Sequence, residues 1–166
     1  MNFLKNIFVL SSLLILTISF ASADEIQDTD NNYNEYPSIS FSIDKRPVDG
    51  ALKVYTFTTN GYNSYNLKVY SQIISMMDGK TYESEKVVAE NLNCKVVKNA
   101  NVIKEITCRK DLRPVDGPLT EYKAVLDERN TYTITKRTAL VDMRNGQNHD
   151  KTVEIGKGFE IAVAYR

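Results

Sequence analysis

The chain reads as an all-β protein in which one unit of five short strands occurs twice, and three observations predict this. A nine-residue block, Asp44-Lys45-Arg46-Pro47-Val48-Asp49-Gly50-Ala51-Leu52, returns as Asp111-Leu112-Arg113-Pro114-Val115-Asp116-Gly117-Pro118-Leu119, with seven of nine positions the same. The same offset of 67 residues holds without a gap from 39–99 onto 106–166 and gives 14 identities over 61 positions. Such a period is the mark of duplicated architecture. Third, the second copy is rich in Thr, Ile and Val where the first could pass for an amphipathic helix. Those side chains lose freedom in a helix and suit a pleated strand.

Residues 1–23 carry one early cation, Lys5, an apolar run over 7–20, and Ala21-Ser22-Ala23 where a signal peptidase needs small residues. This predicts a cleaved secretory signal and a secreted or periplasmic protein, since the run is short for a membrane span and no basic stop follows it. No second run reaches spanning length. Residues 24–37 hold five acids and no Lys or Arg, which predicts a flexible acidic lead-in.

The first repeat covers 38–104 and the second 105–166. In each, the first strand (39–43 and 106–110) runs into the Pro-Val-Asp-Gly turn. Pro47 and Pro114 fix φ, Asp49 and Asp116 can bond their own backbone, and Gly50 and Gly117 allow positive φ. The second strands (51–58 and 118–126) put Tyr55 and Phe57, then Tyr122 and Ala124, on one face by alternation. The third (65–76 and 132–143) changes apolar phase midway, which predicts a bulge. Each ends at a tight-turn dipeptide, Asp78-Gly79 or Asn145-Gly146. The fourth (81–89 and 148–155) is polar and suits an edge, and the fifth (92–98 and 159–165) alternates cleanly.

Two cysteines in an exported chain predict one disulfide, Cys94 to Cys108. Under the offset these match Ile161 and Phe41, so units packed about a pseudo-two-fold axis would set Phe41 against Ile161 and close one sandwich or barrel. Otherwise the cysteines staple a plain hairpin and the units form two small serial β domains. A unit of this size alone buries little surface, which favours one body.

Zero net charge gives no field for nucleic acid. One histidine, His149, and two cysteines are too few for a thiolate metal site, so no metal and no cofactor are expected. Paired aspartates at Asp49 and Asp116 would suit an extracytoplasmic hydrolase, but the Asp-Thr-Gly pattern of aspartic proteases is missing from both copies. The residues shared by both copies are the scaffold, and tuned positions are those where the copies differ. The loop Thr59-Asn60-Gly61-Tyr62-Asn63-Ser64-Tyr65 has the composition of a binding loop. Asn60, Tyr62 and, in the second copy, Arg129 are therefore the candidate ligand contacts. The function expected is a secreted, non-enzymatic binding module for a protein or carbohydrate. The alternatives are the carboxylate hydrolase and a barrel carrying an apolar ligand, which would have an internal cavity.

Overall fold

A computed structural model describes residues 36–61 and 64–165, so the leader, most of the lead-in, and Tyr62 lie outside the described residues. Eight strands follow one another around a closed antiparallel ring. They are β1 (Ser38–Asp44), β2 (Leu52–Thr59), β3 (Tyr65–Ile74), β4 (Thr81–Asn99), β5 (Val102–Asp111), β6 (Leu119–Leu126), β7 (Tyr132–Val141) and β8 (Asn148–Ala164). The protein is one ring, in place of two serial domains.

The strand count departs from the ten expected, because the fourth and fifth segments of each copy are continuous as β4 and β8. The polar gap between those segments does not form a turn. A single left-handed residue, Asn91 (φ 57°) in β4 and Gly158 (φ 82°) in β8, bends the strand without ending it. The bend lets one strand change neighbours. Residues 81–89 pair with β3 and residues 93–99 with β5. Likewise β8 pairs with β7 up to Phe159 and with β1 from Glu160. Residues 81–89, expected as an edge, are thus paired on the β3 side, and the ring closes beyond them.

The irregularity expected midway along the third strands lies at their beginnings, between Tyr65 and Lys68 and between Tyr132 and Thr135. The extra residues belong to β4 and β8, beside the bends. The Asp-Gly and Asn-Gly signals sit in four-residue loops, closed by Gly79 N–H on Ser75 O (2.8 Å) and Gly146 N–H on Asp142 O (2.7 Å). His149 lies in β8 opposite Leu140, within the strand expected over 148–155.

Phe41 faces Ile161 where β1 meets β8, and Cys94 faces Cys108 where β4 meets β5. The cysteines form the disulfide, within a hairpin that turns at residues 100–101. Inside the ring, Phe41, Phe57, Leu67, Leu92, Ile106, Ile134 and Phe159 are almost wholly buried. Full burial of one such side chain contributes about 1.5–3 kcal/mol. Phe41 meets Tyr132 and Phe57 edge to face at centroid distances of 5.2 and 6.2 Å, so rings fill the centre. Tyr36, near the end of the expected lead-in, is 3% exposed, and its carbonyl accepts from the Tyr65 hydroxyl at 2.9 Å.

Because antiparallel strands alternate in direction, the loops divide between two ends. Loops 45–51, 75–80, 112–118 and 142–147 share one end, and loops 60–64, 100–101 and 127–131 share the other. The core sits toward the second end. Toward the first, residues 81–88 and 148–154 are exposed along their whole length, so β3 with β4 and β7 with β8 extend past the filled core.

Candidate functional site

Period-two alternation aims every second residue of each strand into the ring, and following those rows from the core toward the first end leads to a cavity. On β2 the row runs Phe57, Tyr55, Lys53. On β7 it runs Tyr132, Ile134, Lys136. Above the buried aromatics the rows stop filling the space, leaving a cavity of about 330 Å³. Its wall is Val69 and Ser71 from β3, Ser84, Lys86 and Val88 from β4, and Ile155 from β8. Its floor is Tyr55 and Tyr122, which rest on Phe159 and Phe57 at centroid distances of 5.6 and 6.5 Å.

Registers place the charges. Tyr55, Val69 and Lys86 stand side by side across β2, β3 and β4, and Tyr122, Lys136 and Val153 stand side by side across β6, β7 and β8. Each sheet thus holds one tyrosine, one lysine and one valine in a single row, with lysine and valine exchanged between the strands. Lys53 stands one row nearer the mouth, beside Ser71. Three lysines and no carboxylate line the cavity.

Tyr122 is 3% exposed, and its hydroxyl has no hydrogen-bond partner among the described residues. The Lys136 ammonium lies 5.6 Å from the centre of the Tyr122 ring. Burial pushes the phenols of Tyr55 and Tyr122 above their ordinary pKa, so both remain neutral hydroxyls at physiological pH.

The sequence-predicted contacts lie at the opposite end. Asn60 precedes β3, and its side-chain amide donates to Asn91 Oδ1 at 2.7 Å. Arg129, in the loop between β6 and β7, donates its backbone N–H to Asp127 Oδ1 at 2.9 Å and borders an open depression with Glu128 and Lys157. Asn60 does not line that depression, so the two described candidates are not brought into one pocket.

The repeated turns are exposed. Asp49 N–H donates to Lys45 O and Asp116 N–H to Leu112 O, both at 2.9 Å, while Gly50 (φ 145°) and Gly117 (φ 143°) occupy backbone that side chains resist. Pro47 and Pro114 follow arginines whose guanidinium groups grip Asp44 and Asp111 with two bonds each. Those bonds hold the Asp44 and Asp111 carboxyls down at about 2. Asp78, Asp127 and Asp150 are lowered as well, by hydrogen bonds from Ser75, Thr131 and Arg137. Each carboxylate shifted among the described residues is thus held ionised, the reverse of the raised acid that paired-carboxylate hydrolysis needs. Among the described residues no cluster of three or more His, Cys, Asp or Glu could hold a metal.

The tuned positions that loop composition missed are the cavity lysines. Across the 67-residue offset, Lys53 matches Thr120, Lys86 matches Val153 and Lys136 matches Val69, whereas the floor tyrosines match each other. A lysine at an inward place in an otherwise apolar alternation was the available signal. Set beside known proteins, the chain matches no family model, no curated protein and no solved structure. Among the described residues no helix is long and apolar enough to cross a membrane, which leaves strands unaddressed.

Proposed function

We propose that the chain is an exported, non-enzymatic binding module that carries a small ligand in the open half of its barrel. One observation carries this reading. The inward rows are packed solid with rings below Tyr55 and Tyr122 and stop short above them, leaving about 330 Å³ bounded by Val69, Val88 and Ile155. That volume lies at the small end of ligand pockets, which run from about 300 to 1,000 Å³.

The barrel consists, in this reading, of two copies of a four-stranded unit related by a pseudo-two-fold axis. Supporting it, β2 and β6, and β3 and β7, begin 67 residues apart, as do the bends at Asn91 and Gly158. Tyr132 donates to Ile103 O at 2.6 Å as Tyr65 does to Tyr36 O, again at that offset. The Phe41 and Ile161 pairing is the counterpart of the disulfide. Export rests on the apolar leader at 7–20 together with a disulfide, which persists in oxidising compartments.

Titration of the nitrogen-15-labelled, oxidised chain with neutral 2-naphthol tests the seat. Amide shifts are expected at Val69, Val88 and Ile155, with loop 127–131 silent. Val88→Trp, which sets a large ring on the inner wall of the cavity, is expected to abolish them. Shifts confined to loop 127–131, or none at all, would overturn the cavity as the seat.

A further inference from the structure

We infer that the ligand is an amphiphilic anion, its acidic head held by Lys53, Lys86 and Lys136 and its apolar body laid against Tyr55, Val88 and Ile155. This rests on the cavity being the binding seat and names the chemistry it selects.

Three cations set around one cavity repel one another unless a counter-charge meets them. The protein places Lys86 and Lys136 in the rows of the two tyrosines and Lys53 one row nearer the mouth. None of the three is ion-paired among the described residues, whereas nearby Lys68, Lys80 and Lys123 pair with Glu85, Asp78 and Glu105. No carboxylate lines the cavity to pair with them. Each raises the positive potential felt by the others, and low-dielectric walls concentrate it. One anionic head relieves all three. The Lys136 ammonium lies over the ring of Tyr122, which also lines the cavity, so this cation is held beside the floor.

The remainder of the wall sets the rest of the molecule. Val69, Val88, Ile155 and the Tyr55 ring match an alkyl chain or an aromatic ring, and Ser71 and Ser84 stand toward the mouth. At about 30 Å³ per water-sized group, 330 Å³ holds about ten non-hydrogen atoms, the size of a medium-chain fatty acid or an aryl acid. A neutral alcohol of that size would leave three charges uncompensated, and an amine would add a fourth.

Calorimetry on the oxidised, leader-free chain at neutral pH, comparing octanoate, hexyl phosphate, octan-1-ol, octylammonium and acetate, tests this. Octanoate is expected to bind about tenfold or more tightly than octan-1-ol, the difference a charge-assisted contact supplies. Acetate and octylammonium are expected to stay silent, and hexyl phosphate decides whether the head is a general anion or a carboxylate. Lys136→Met should weaken octanoate about fivefold or more and leave octan-1-ol unchanged. Lys53→Met provides a second variant with no core contact to disturb. Equal affinity for octanoate and octan-1-ol would overturn the anion with the cavity reading intact, and acetate binding as well as octanoate would reduce the site to a plain anion seat. Silence of every eight-carbon probe and of 2-naphthol would remove the cavity reading itself.

Discussion

Two tyrosines in nearly the same burial behave differently because of one atom each. The Tyr132 hydroxyl donates to Ile103 O at 2.6 Å, while the Tyr122 hydroxyl is buried without a partner. Removing a satisfied donor leaves its acceptor orphaned, whereas removing an unsatisfied one relieves a desolvation cost. Tyr132→Phe is therefore expected to lower stability by about 1 kcal/mol, and Tyr122→Phe to leave it unchanged or raise it by up to about 1 kcal/mol. Urea unfolding midpoints at constant slope would read both, and a Tyr122→Phe loss as large as that of Tyr132→Phe would contradict the assignment. Alternation made both rings legible as inward-facing. It also put Lys53 and Lys136 on the inward face, but a sequence pattern tells which face a residue occupies and not whether the space on that face is filled.

At the scale of elements, what decides legibility is whether a polar stretch ends a strand or bends it. The segments around Asn91 and Gly158 looked like breaks, and local composition supported that. Residues 93–99 then find β5 and residues 160–164 find β1, and pairing with a new neighbour makes continuing worthwhile where local propensity alone would stop. The repeated Pro-Val-Asp-Gly turns, by contrast, were legible because their chemistry is entirely local. The disulfide is local too, with cysteines 14 residues apart across one hairpin. By loop-closure entropy such a crosslink is worth about 3 kcal/mol. The Cys94→Ala, Cys108→Ala double variant is expected to lose about that much in chemical denaturation while keeping its strand circular dichroism, since the β1 and β8 pairing does not depend on it. Loss of the strand signal in the double variant would mean that the hairpin staple, and not the meeting of the first and last strands, holds the ring shut.

For the whole molecule, stability and openness are segregated along the barrel axis. The aromatic half carries most of the buried surface, and residues 81–88 and 148–154 beyond it are exposed. Opening energies should follow that division, since local unfolding draws on the regions with the fewest buried contacts. Amide hydrogen exchange is expected to be slowest at Phe41, Leu67, Ile106 and Ile134 and fastest over 81–88 and 148–154. Binding of an acid in the cavity is expected to slow exchange at residues 84–88 in particular. Uniform protection along β4 would show that the arms are as firmly held as the core. The all-β class was readable from the strand chemistry along the 67-residue register, but which end of the ring stands open is set by how far side chains from several strands reach into a shared interior, and no single segment carries that information.

The contact between Tyr36 and Tyr165, 5.6 Å between ring centres, joins the entry and exit of the fold. Closure of β1 on β8 makes the chain a nicked circle whose nick lies behind the floor of the cavity. Tyr36 and Tyr165 both stand at the end away from the mouth, so a tag or fused partner joined beyond either residue leaves the barrel at the pole opposite the cavity opening.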